Sequence, residues 1–168
     1  MSQTVYFKSI IFLLLLVTPP LEAKLLKPSK NGEEKEILII NGKRRLYYPI
    51  KNEGIDYSIE GPIRLEFISR YPVLKDRRES HSYDYNIIIN DEDKITVKHR
   101  FKVQKTIKSV QHPKHSYTYS GNYFINLDKG SHTIRLIENK DRKYPVLVRV
   151  LAKEFGSMGK NKKVLEPS

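Results

Sequence analysis

Five histidines are the side chains of this 168-residue chain best suited to hold a metal or move a proton near neutral pH. His112 and His115 bracket Pro113 and Lys114, and imidazoles this close converge on a transition metal when the fold brings them together. No HExxH motif accompanies them, the chain has no cysteine, and Pro113 argues against a helix that would put both rings on one face. His112 and His115 are therefore weak metal candidates, expected to be solvated loop histidines, and no cofactor is expected. His99 differs, because it falls in phase with Val97, Phe101 and Val103. It is expected at the core or a sheet edge as a hydrogen-bonded structural residue.

Nucleophilic catalysis needs a hydroxyl or thiol beside an oriented base. Ser131 and His132 are adjacent, but neighbours on a strand point to opposite faces, and no GxSxG elbow is present. Glu60, Glu66, Asp84 and Glu138 sit on strand patterns among basic residues, which predicts structural ion pairs before a glycosidase pair. No glycine-rich phosphate loop occurs. The residues favour a non-catalytic protein, with a hydrolase or metal-dependent enzyme as the alternative.

Binding chemistry is better represented. Alternation along Lys98-His99-Arg100-Phe101-Lys102 places Lys98, Arg100 and Lys102 on one face as a basic stripe. Such a stripe suits an anionic surface, and it equally guards a sheet edge against aggregation. Eleven tyrosines and no tryptophan supply flat apolar rings with polar tips, suited to sugars or protein contacts. Tyr83 and Tyr85 continue in phase with Ile87 and Ile89 and are expected in the core, leaving Tyr117 and Tyr119 as surface candidates. Arg135 and Arg149 lie among apolar strand residues; each needs a ligand or an acid, with Glu66 or Glu138 the expected cross-strand partner.

The elements that must position these groups are strands. Ile37–Ile40 and Arg45–Ile50 flank Asn41-Gly42, the strongest short hairpin turn. Ile55–Glu60 alternates apolar and polar residues, Gly61-Pro62 is expected to break it, and Ile63–Arg70 resumes the pattern. Tyr83–Asn90 and Ile95–Val103 form a second hairpin around Asp91-Glu92-Asp93. Residues 104–116 are expected to be irregular because of Pro113, with a short strand at Tyr117–Tyr119. Asp128-Lys129-Gly130-Ser131 predicts a third hairpin between Tyr123–Leu127 and Thr133–Glu138, and Val146–Leu151 closes the domain.

The fold class expected is all-β: an antiparallel β-sandwich of eight or nine strands, with jelly-roll topology as one form and a small β-barrel as the alternative. The order GPIRL, YDYNIII, NYFINLDKGSHTIRL and YPVLVRV resembles secreted jelly-roll or carbohydrate-binding sandwich modules over most of Glu36–Phe155. The resemblance is one of strand rhythm and matches no family's binding residues to positions here. It implies a sandwich fold and a glycan among the expected partners.

Lys8, the apolar run Ile10–Val17, Pro19-Pro20 and the small residue Ala23 have the parts of a secretory signal peptide at residues 1–23. The run is far short of the roughly 20 apolar residues of a membrane span. A flexible polar lead-in at 24–35, a sandwich domain at 36–155 and a flexible basic tail at 156–168 are expected to follow. The net charge of +12 survives removal of the signal, since Lys8 and Glu22 leave together. Absent cysteines exclude a disulfide framework and a lipidated N-terminal cysteine. The chain is thus expected to be exported to the periplasm or extracellular space, with a glycan or envelope protein as partner and nucleic acid disfavoured. A structural subunit of an envelope assembly is the third possibility.

Overall fold

The computed structural model describes residues 23–154. The signal-peptide segment and the basic tail lie outside those residues, apart from Ala23 at the expected cleavage point. The described chain is all-β, with strands β1 (Lys24–Leu26), β2 (Glu36–Ile40), β3 (Lys43–Pro49), β4 (Ile55–Arg70), β5 (Pro72–Val73), β6 (Ser80–Ile89), β7 (Asp93–Lys102), β8 (Lys108–Ser109), β9 (Ser116–Tyr117), β10 (Gly121–Glu138) and β11 (Leu147–Glu154). Nine of them form one antiparallel sheet in the order β7-β6-β10-β4-β11-β3-β2-β8, with β1 paired to β11; β5 and β9 form a separate pair. The path has two ends, so the sheet is not a closed barrel. It curls instead, in the manner of a sandwich or half-barrel. No helix of the described residues is long and apolar enough to cross a membrane.

Two long strands hold this curl together. β4 runs through Gly61-Pro62 and β10 runs through Asp128–Ser131, where a break and a hairpin were the expectation. The two irregularities face each other: Gly61 is the partner of Gly130, and the β10 register shifts between Leu127 and Gly130. The turn chemistry is thus used for a matched bend and bulge rather than for reversal of the chain. A Cβ on Gly61 would lie 1.8 Å from the Asp128 carbonyl oxygen, so only glycine permits this approach. Beyond the bend, the last part of β10 pairs with β6, and the last part of β4 pairs with β11.

The alternating residues meet inside the curl. Ile55, Tyr57 and Ile59 from one end of β4, Leu65 and Phe67 from the other, Tyr83, Tyr85 and Ile87 from β6, and Val148 and Val150 from β11 fill one core. Tyr83 closes it by donating to the Ser69 carbonyl at 3.0 Å, while the His99 ring packs under Gly121. Burial raises the Tyr57 and Tyr85 phenols above their ordinary pKa, and the Tyr57 hydroxyl has no partner among the described residues.

A second, smaller cluster lies elsewhere. Leu38, Tyr47 and Leu147 are covered by Ile107 and Tyr117 from the 103–120 segment. Residues 104–116 of it were expected to be irregular, and the fixed points of the segment are few but specific. Leu38 pairs with Ser109 and Pro72 with Tyr117, while buried Arg70 donates to the Thr118 carbonyl and Gln104 Oε1, both at 2.8 Å. Even the lead-in is partly ordered: Lys24–Leu26 pairs with β11, and Ser29 donates its amide to the Asp56 carbonyl at 2.7 Å.

Candidate functional site

The pairing of β2 with β8 brings the start of β2 against the loop after Ser109. Val110 donates its amide to the Ile37 carbonyl at 3.0 Å, and Gln111 Oε1 accepts from the Ile37 amide at 2.8 Å. The loop therefore sits over Glu36. Within it, the His115 amide donates to the His112 carbonyl at 3.0 Å, and the His112 amide donates to Ser109 Oγ at 2.9 Å. This turn stacks the two imidazoles, with ring centres 4.7 Å apart and planes 10° from parallel. Pro113 excludes a helix but permits this turn, so the two rings converge after all.

Glu36 is the residue that sequence reasoning missed. Its carboxylate is buried, and Oε1 accepts from Ser109 Oγ at 2.8 Å and from the Tyr117 hydroxyl, and lies 3.1 Å from His112 Nδ1. Burial, reinforced by bonding to Glu36, raises the Tyr117 phenol above its ordinary pKa. Burial followed by the neighbouring His112 lowers His115. An acid opening the apolar run Glu36-Ile-Leu-Ile-Ile was the only local signal for this site.

These residues form part of a cleft of about 300 Å³ whose other walls include Pro49, Pro72, Tyr144 and Pro145. The Tyr144 ring meets His115 edge-on at 5.0 Å. Flat rings, three prolines and the flanking Glu34 and Lys35 thus surround one buried carboxylate, whose hydrogen bonds from Ser109 and Tyr117 both fall on Oε1. Ser109 directs its proton to that carboxylate rather than to an imidazole, which is not the arrangement of a nucleophile with its base.

The remaining sequence candidates lie apart from the cleft. Tyr117 is fully buried beneath it, a correction to its expected surface position: its ring is needed to seal the smaller core. Tyr119 is half exposed and donates its amide to the Lys102 carbonyl at 2.9 Å, at the end of the basic stripe. Lys98, Arg100 and Lys102 all lie on the exposed face of β7, a terminal strand of the sheet. Arg100 donates to Ser80 Oγ at 2.9 Å, and Lys102 pairs with Glu79.

Arg135 forms a two-pronged ion pair with Asp56, directly across the sheet, at 2.7 and 3.0 Å. Its partner is therefore neither Glu66 nor Glu138, because the β10–β4 register places Asp56 opposite it. Arg149 packs over the Tyr47 ring at 5.7 Å, and its Nε is buried without a partner among the described residues. Desolvation lowers its pKa. Glu66 instead accepts from Asn122 at 2.8 Å and pairs with Lys153 at 3.2 Å. Ser131 donates to Glu60 at 2.6 Å, whereas His132 lies 2.9 Å from the Asp128 carbonyl, so the two adjacent residues engage different groups.

No family model matches the chain, and no curated protein matches it. Among solved structures it is similar to an exo-β-1,3-galactanase from Phanerochaete chrysosporium with galactose, at TM-score 0.40 and 11% identity over 77% of this chain. A variant of that enzyme with β-1,3-galactotriose gives TM-score 0.39 and 10% identity, also over 77% of this chain. The chain spans 26% of the length of each. At this level the likeness assigns neither family nor activity.

Proposed function

We propose that this protein is an exported, non-catalytic recognition module that binds a glycan in the cleft around Glu36. One observation carries the proposal: a concave site of about 300 Å³ sets the Tyr144 and stacked His112–His115 rings, with three prolines, around a buried carboxylate. A sugar has the complementary chemistry. Its C–H face suits flat apolar rings, and its hydroxyls donate to a carboxylate that water does not flood. Glu36 Oε1 is engaged by Ser109 and Tyr117, which fixes the group and leaves Oε2 for an incoming hydroxyl. The basic stripe on β7 serves the edge of the sheet, where charged side chains discourage pairing with another chain.

The test is a glycan array probed with the purified protein and with Tyr144→Ala and Glu36→Gln. Binding that both substitutions abolish, and that persists in moderate salt, is the expected result. A wild-type protein that binds no glycan, or binding that both variants retain, overturns the proposal.

A further inference from the structure

We infer that Glu36, His112 and His115 form a site for a divalent transition metal of the zinc type, with a coordination position open toward the cleft. This deepens the glycan proposal, on which it rests only for what occupies the open position. One potential ligand atom from each of the three residues can be chosen so that all lie within 4.8 Å of one another. Metal bonds of about 2.0–2.1 Å place tetrahedral ligands roughly 3.3 Å apart. His112 Nδ1 and Glu36 Oε1 already stand at 3.1 Å, so a modest side-chain rotation closes the set.

Two features of the buried polar groups support the site. Glu36 is only 6% exposed, and among the described residues no lysine or arginine nitrogen lies within 4 Å of its carboxylate, whose nearest basic group is the His112 imidazole at 3.1 Å. A carboxylate so placed is costly unless a cation offsets it. Beside it, His115 Nδ1 is buried with no hydrogen-bond partner among the described residues. A metal ion satisfies the carboxylate and draws on the same pair of imidazoles.

The surroundings hold the donors in place. Ser109 and Tyr117 donate to Glu36, Ser109 also accepts from the His112 amide, and the His115 amide closes the turn on His112. Hydrogen bonds behind the ligands orient and tune them in this way at metal centres. Two imidazole nitrogens and one carboxylate oxygen select zinc-like ions over calcium or magnesium, which take mainly oxygen ligands. Three protein donors leave one position of a tetrahedral ion for water or a ligand oxygen.

The experiment is calorimetric titration of the tag-free protein with Zn²⁺, accompanied by Co²⁺ absorption spectroscopy, on wild type, His112→Ala/His115→Ala and Tyr117→Phe. Expected are one Zn²⁺ per chain, the intense visible bands of tetrahedral Co²⁺ and no competition from Ca²⁺ or Mg²⁺. The double variant, whose substitutions lie in an exterior loop, should weaken binding by about 100-fold or more, and Tyr117→Phe by about 10-fold. Circular dichroism establishes that each variant is folded. Absence of Zn²⁺ binding by wild type, or equal binding by the folded double variant, overturns the inference. Repeating the glycan array with and without chelator separates the two proposals. Zn²⁺ binding without any glycan binding removes the glycan proposal alone, and glycan binding without Zn²⁺ binding removes the metal alone.

Discussion

Replacing Gly61 with alanine probes the bend that makes the long strands β4 and β10 a single curled sheet. The added Cβ would stand 1.8 Å from the Asp128 carbonyl oxygen, 2.9 Å from its carbon and 3.3 Å from the Leu127 oxygen. All three contacts are with backbone, so no side-chain rotation relieves them. Restoring a contact of about 3.2 Å requires the strands to separate by more than 1 Å, at a cost of about 3 kcal/mol, the upper part of the range for overpacking. For a domain of this size that corresponds to a fall in Tm of roughly 10 °C. Gly42→Ala provides the comparison, because its φ is +72° but nothing lies within 4 Å of the added carbon. That variant should lose only about 1 kcal/mol, the ordinary cost of a left-handed alanine. Calorimetry and urea unfolding measure both. A Gly61→Ala protein melting within 2 °C of wild type, or no less stable than Gly42→Ala, would refute the close approach of β4 and β10 at Gly61.

Three further outcomes follow from particular contacts. Burial, then the nearby Asp141, raises Glu138 from 4.5 to about 7, so the native state binds a proton that the unfolded state releases between those values. Stability should accordingly fall as pH rises from 4.5 to 7, and Glu138→Gln should recover about 1–2 kcal/mol at pH 8 after allowance for solvent around this partly buried group, with no gain near pH 4. Denaturant titrations across pH check the sign; a gain that grows toward acid contradicts it. Tyr117→Phe removes a hydroxyl bonded to a buried carboxylate and should cost about 1.5–3 kcal/mol in urea unfolding, whereas a loss below about 0.5 kcal/mol contradicts that bond. Lys98→Ala/Arg100→Ala/Lys102→Ala should leave unfolding free energy within about 1 kcal/mol, because these side chains are exposed. The same triple variant should scatter more light with rising concentration; unchanged association contradicts an edge-guarding stripe.

Local patterns were legible where one residue type has one use. Asn41 and Gly42 both adopt positive φ, as a two-residue hairpin turn requires, and Ile55, Tyr57 and Ile59 are buried as their alternation predicts. The tyrosines at 83 and 85 are core residues for the same reason. Gly61-Pro62 and Asp128–Ser131 were misread because breaker residues announce a change of direction without saying whether the chain reverses or bends. Only their mutual pairing, Gly61 with Gly130, decides that. Tyr117 was misplaced because a two-residue strand in an irregular segment gives alternation too little length to register.

The site itself was half legible. His112 and His115 were recognised as a pair, but excluding a helix says nothing about a tight turn, and the turn is what stacks them. Glu36 joins them from 73 residues before Ser109, through the pairing of β2 with β8. No local pattern encodes a pairing at that separation. Arg135 shows the same limit in milder form, since a need for an acid was evident but the register that supplies Asp56 was not.

The most direct test of the cleft as the recognition site is backbone NMR of the labelled protein titrated with the strongest ligand from the glycan array. Shift changes centred on Glu36, His112, Lys114–Tyr117 and Tyr144 are predicted, with the Lys98–Lys102 amides unmoved. Changes centred on Lys98, Arg100 and Lys102, or on the exposed Phe124 and the Arg64 guanidinium 4.6 Å above its ring, with Glu36 and Tyr144 silent, would contradict it.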